Sequence, residues 1–303
     1  MIYTAANGFL RAVSECDPIW VSAVKAISTA ALMTPLLILS LRRGEGFPPL
    51  RIWLAIAAGS LCGQLGGNIS FQYALGQVGL ALTVPLSLGG MIVGATILSR
   101  FFLHEKISPT SALSVAVLLL SIGVLSLGAE EARLKVLERA TSHPWQLTIG
   151  VVAATFSGLA YGVLNVIIRF STQRGATLPV TLMTVSVMGL ISLNLLSLQR
   201  IGVEGMLQTS LRDLLMMLLA GVCNAVAFVS LTRCLQLTSV VYTNALNAAQ
   251  AALAAIAGVL IFREPASTAL AAGVALTVLG LAILTRKSPG TDGATAAHRK
   301  PEA

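Results

Sequence analysis

Charge is scarce in this chain. Asp, Glu, Lys and Arg make up 11% of its 303 residues, while 55% are hydrophobic and mean hydropathy is +0.84. A soluble domain of this length needs far more polar surface to cover its core. The three histidines, His104, His143 and His298, fall in connections or the tail and share no plausible site. The four cysteines, Cys16, Cys62, Cys223 and Cys234, lack the spacing of a metal-ligand set. There is no His-Glu-x-x-His, no Gly-x-Ser-x-Gly and no Gly-rich Lys-Ser/Thr loop to cradle phosphate. An enzyme is therefore not expected, nor a metal site or cofactor, and a nucleotide-driven motor would be a separate chain. None of the twelve acidic residues falls in the middle of an apolar run. This weighs against a pump built on a buried glutamate.

What the chain has in quantity is apolar sequence. Ten hydrophobic segments read at about 1–14, 19–41, 52–75, 78–102, 108–128, 148–172, 178–198, 211–236, 238–262 and 266–286. Most reach the roughly 20 residues that a helix needs to cross a hydrocarbon core. Lipid offers no hydrogen-bond partners, so these spans are expected to be helices, and the alternating segments of a β-barrel are absent. The expected class is an all-α integral membrane protein. The net charge of +8 resides mostly in short connections and is no sign of nucleic acid. With both termini cytoplasmic, twelve Lys and Arg flank the cytoplasmic side and seven the other. Ser108 followed by Pro109 reads as an N-cap with proline at the first helical position. Trp20, Trp53 and Trp145 sit at span ends as interfacial anchors.

The chain repeats itself. Tyr161, Asn165 and Arg169 restate Tyr3, Asn7 and Arg11 at an offset of 158, and Glu264 and Ser267 restate Glu105 and Ser108 at an offset of 159. The division is residues 1–128, a polar connection 129–147, a second unit 148–287, and a tail 288–303 expected to be disordered. Five spans is an odd number, so the second unit is expected to enter the membrane upside down relative to the first. The first segment is short: only Met1 and Ile2 precede Tyr3. It reads either as lacking roughly a dozen residues or as a genuine half-helix, judged against the span length above.

Polar side chains inside spans are costly and therefore informative. Gln64, Asn68 and Gln72 recur at spacing four, and Asn244, Asn247 and Gln250 at spacing three, each set on one helical face. Asn224, Phe228 and Thr232 occupy the positions equivalent to the first set. The cavity candidates are Tyr3, Asn7, Lys25, Gln64, Asn68, Asn165, Asn224, Asn244, Asn247 and Gln250. Each amide also has a plainer reading as interhelical glue. Lys25 is open between snorkelling and a cavity charge, and Arg11 and Arg169 read as snorkelling from span ends. Pro85 is a candidate kink in the fourth segment.

Ten short-looped spans in two units resemble the drug/metabolite transporter superfamily, and specifically its EamA-type members. The resemblance rests on Phe102-Leu103-His104-Glu105 with Ser108, on Phe262-Arg263-Glu264 with Ser267, and on Asp17-Pro18 followed by Lys25. It implies a bacterial inner-membrane carrier of small organic solutes, often an exporter of amino acids or related metabolites. Glu105 and Glu264 are family landmarks, and their place before a helix N-terminus suits a structural role. The expected partners are the lipid bilayer and a small-molecule substrate, with a homodimer left open. The runner-up is a lipid-linked or nucleotide-sugar translocator, or a non-transporting membrane partner.

Overall fold

The computed structural model of the chain describes residues 2–105, 108–137, 144–262 and 267–285. Glu264 and the tail 288–303 lie outside the described residues. Within them all regular structure is helical. In chain order the helices are α1 Ile2–Ala12, α2 Pro18–Arg42, α3 Leu50–Val78, α4 Leu80–Phe102, α5 Pro109–Leu137, α6 Pro144–Gln173, α7 Leu178–Leu207, α8 Leu211–Leu237, α9 Val240–Asn247, α10 Ala249–Phe262 and α11 Thr268–Thr285. Among the described residues seven spans are long and apolar enough to cross a membrane, with the α9–α10 pair counting as one, Val240–Ile261. Shorter apolar stretches lie in α5 (Pro109–Leu125) and α11 (Ala271–Ile283).

The helix starts follow local chemistry. Asp17 Oδ1 accepts the free N–H groups of Ile19 and Trp20 at 2.9 and 3.1 Å, with Pro18 where no N–H is needed. Ser108 Oγ accepts from Ser111 N–H at 3.1 Å and caps α5. Gly79, with φ at +76°, turns the chain between α3 and α4 in a single residue.

Three details depart from the expected segments. The third segment is not uniform: residues Cys62–Ile69 are π-helical between α-helical ends. The ninth is broken at Ala248 into α9 and α10. The polar connection begins as a continuation of α5, which stays helical to Leu137. Pro85 falls in the second turn of α4, which runs unbroken through it.

Packing follows a pattern that maps onto itself when the halves are exchanged. α4 packs on α6 as α10 packs on α1; α3 packs on α6 as α8 packs on α1; α2 packs on α8 as α7 packs on α3. α2 pairs with its own counterpart α7, and α5 with α11. α4 and α6 cross closely: a Cβ added at Gly158 would lie 1.9 Å from the Ser87 carbonyl oxygen. α5 and α11 are tied by Ser114 Oγ to the Gly280 carbonyl at 2.8 Å and by Ser121 Oγ to the Gly273 carbonyl at 2.7 Å.

The outside of the bundle is apolar. Ile149, Val152, Phe156 and Leu159 run along one exposed stripe of α6, and Leu215, Leu219, Val222 and Val226 along one of α8. Stripes of this length would be an aggregation hazard in water but suit a lipid-facing surface.

Candidate functional site

Polar groups gather inside, between the halves. A cavity enclosing about 1000 Å³ of empty space, its opening included, is lined by α1, α2, α3 and α4 on one side and α6, α7, α8, α9 and α10 on the other. Nine of the ten candidates from the sequence line it: Tyr3, Asn7, Lys25, Gln64, Asn68, Asn165, Asn224, Asn247 and Gln250. Asn244 lies behind the wall, where its Oδ1 accepts from Asn165 Nδ2 at 2.9 Å. Gln72 leaves its stripe: its Nε2 donates to the Leu10 carbonyl at 3.1 Å and fastens α3 to α1.

The polar wall is a connected network. Lys25 Nζ donates to Asn68 Oδ1, and Tyr161 Oη donates to the same oxygen at 2.6 Å. Asn68 Nδ2 donates to Gln64 Oε1, and Gln64 Nε2 donates to the Val185 carbonyl at 3.1 Å. One run of hydrogen bonds thus joins α2, α3, α6 and α7, drawing on both halves. On the facing wall Gln250 Nε2 donates to Asn247 Oδ1 at 2.7 Å. Gln64 and Asn68 sit within the π-helical stretch of α3, a rare geometry that recurs at functional sites.

Sequence reasoning left several lining residues off its candidate set. Tyr161 was in the repeat as the mate of Tyr3, a signal strong enough to have included it. Phe71, Phe228 and Met91 supply apolar wall, and Thr29, Ser87 and Ser186 supply hydroxyls. Those hydroxyls carry no distinguishing signal, because a mid-span Ser or Thr ordinarily bonds its own helix, as Thr29 Oγ1 does to the Lys25 carbonyl at 2.9 Å.

Two polar clusters tie the halves together at opposite ends of the bundle. At one end Arg200 Nε lies 2.7 Å from Asp17 Oδ2, and Trp20 Nε1 donates to Thr209 Oγ1 at 2.9 Å. At the other, Glu105 accepts the Val240 N–H at 3.1 Å and lies 3.6 Å from Arg169 Nε. Arg169 also donates to the Leu235 and Gln236 carbonyls at 2.7 and 2.9 Å, satisfying the C-terminal end of α8. Arg169 therefore does not snorkel: its side chain is 17% exposed and committed to three partners. Glu105 does serve a helix N-terminus, but that of α9 in the other half rather than of α5, which follows it. Burial pushes its carboxyl above the ordinary glutamate range, opposed by the Val240 N–H and by Arg169.

A family model described as the EamA-like transporter family matches the chain twice, over residues 3–127 and 148–286. The chain belongs to the EamA-like transporter family. It is a multi-pass membrane protein, and its family consists of transporters. A solved structure titled "Crystal structure of protein" aligns over 94% of this chain and 95% of its own, with a TM-score of 0.66 at 20% identity. That is a likeness of fold alone. No curated protein sequence matches the chain. Among the described residues no group of three His, Cys, Asp or Glu is placed to hold a metal.

Proposed function

We propose that this EamA-like protein carries a small polar or amphipathic metabolite across the bacterial inner membrane by alternating access, working as an exporter. The observation that carries the reading is the position of the cavity, walled by both halves, with a polar latch between the halves at each end. Two units that rock about a shared site need such a cavity, and they need contacts at each end that break in turn. The exchange-symmetric packing supports two five-span units in inverted orientation, ten spans in all. An even count puts both termini on one side, and the Lys and Arg bias favours that side being cytoplasmic. In this scheme Tyr3, Asn7, Lys25, Gln64, Asn68, Asn165, Asn224, Asn247 and Gln250 face the substrate, and Asn244 supports Asn165.

Uptake of a labelled metabolite panel into everted vesicles tests this. Saturable accumulation is expected in vesicles holding the wild type. Alanine at Asn68, Asn224 or Asn247 should cut it by about tenfold, the loss of roughly one good hydrogen bond, with folded protein still in the membrane. Full flux in all three variants would refute the assignment of the cavity.

A further inference from the structure

Lys25 is the one Asp, Glu, Lys, Arg or His side chain among the described residues that lines the cavity. It is 5% exposed and lies within α2, and its ammonium is engaged with Asn68 in the cavity wall instead of extending to the end of the helix. Neither ion pair among the described residues includes it, and its hydrogen-bond partner there is the neutral Asn68 Oδ1. An ammonium has three donors, so two remain beyond the one Asn68 takes. A buried cation with no counter-charge is costly and marks a site by default.

The surrounding amides are neutral and partly bonded to one another. Asn68 Oδ1 already accepts from both Lys25 and Tyr161, Gln64 Oε1 accepts from Asn68, and Asn247 Oδ1 accepts from Gln250. Three amide oxygens of the wall, those of Gln64, Asn68 and Asn247, are thus engaged by the wall itself. What is left to a ligand is a mixed set of neutral amides and one positive charge, that of Lys25. Phe71, Phe228 and Met91 complete the lining with apolar surface. No carboxylate among the lining residues stands ready for a ligand's ammonium.

We infer that the carried substrate is an organic monoanion with an apolar body, whose anionic group is the missing counter-ion of Lys25. This rests on the carrier reading above and narrows it: a zwitterion would leave its ammonium without a charged partner, and a cation would meet Lys25 head-on. Recognition by one full charge also gives sign selectivity, because a like charge at this depth is strongly disfavoured.

Ring-matched and chain-matched probes separate the charge classes. The purified full chain is titrated with phenylacetate, phenylalanine and phenethylamine, and with octanoate, 2-aminooctanoate and octylamine, following thermal stabilisation and flux in proteoliposomes. In each set the anion is expected to half-saturate at a concentration about tenfold or more below its zwitterion and cation. Lys25→Met should abolish that preference while Lys25→Arg, which keeps the charge, retains it. Tighter binding of a zwitterion or cation, with flux, would overturn the anion assignment and leave the carrier reading standing. So would an anion preference that survives in Lys25→Met. Folded protein that neither binds nor moves any of the six would overturn both.

Discussion

Glu105 draws both its partners from the opposite half of the chain, and its titration can be worked out with sign. Burial is the largest influence and raises its pKa; the Val240 N–H and Arg169 lower it by less. Opening the contact would hydrate the carboxyl and return it to the ordinary range, so the closed form binds a proton more readily than the open one. Closure is then favoured as pH falls through the interval between those two values, and it weakens as pH rises through it. Glu105→Gln removes the titrating group and should flatten this dependence. Glu105→Ala also leaves the Val240 N–H without its acceptor, and hydrogen exchange at the α8–α9 junction should speed up by about tenfold, as expected for one lost charged hydrogen bond. Unchanged exchange would leave Glu105 with no latching role. At this scale the sequence showed which residues matter more readily than what they do. Asn68 and Gln64 were visible by depth and spacing, whereas the retreat of Asn244 behind Asn165 depends on a rotation of α9 that spacing alone does not set.

At the scale of the element, helix crossings decide tolerance to change. Gly158 has the Ser87 carbonyl oxygen 1.9 Å and the Met91 nitrogen 2.8 Å from where a Cβ would stand. Both are backbone atoms, so α4 and α6 would have to move apart. Gly158→Ala is expected to destabilise by about 1–3 kcal/mol or more through overpacking. Gly123, exposed on α5 with nothing within 4 Å, is the control: Gly123→Ala should be neutral or stabilising by up to about 1 kcal/mol. Thermal unfolding in detergent compares the two, and equal melting points would contradict the crossing geometry. The helices themselves were legible from hydropathy, and Ser108 followed by Pro109 announced the start of α5. The π-helical turn at Cys62–Ile69 and the break at Ala248 were not, since neither carries a proline and both lie in stretches that still average apolar enough to read as one span.

Across the whole molecule the two latches frame the cavity, and the proposed cycle requires them to open in turn. Asp17 and Arg200 offer a direct test. In a chain whose four native cysteines are replaced by serine, Asp17→Cys with Arg200→Cys is expected to be joined by a short bis-methanethiosulfonate reagent that spans the reach of the lost Arg and Asp side chains, which should stop flux, with recovery on reduction. Flux through the cross-linked protein would show that this end need not open. The duplication was legible from Tyr3, Asn7 and Arg11 alone, because their mates recur in one register. The latches were not, because Asp17 and Arg200 are 183 positions apart (200 − 17) and only the packing of α2 on α7 joins them.

The π-helical stretch of α3 has no equal in α8, its counterpart, which is α-helical from Leu211 to Leu237. Two identical inverted copies would make the carrier degenerate, with the empty protein spending equal time open to either side. This turn lifts that degeneracy, and so does Lys25, whose positional mate at an offset of 160 is Val185. In the proposed arrangement the unloaded protein therefore has a resting side, and its forward and return strokes run at different speeds. In that scheme duplication supplies the shared site, and the differences between the copies supply the bias.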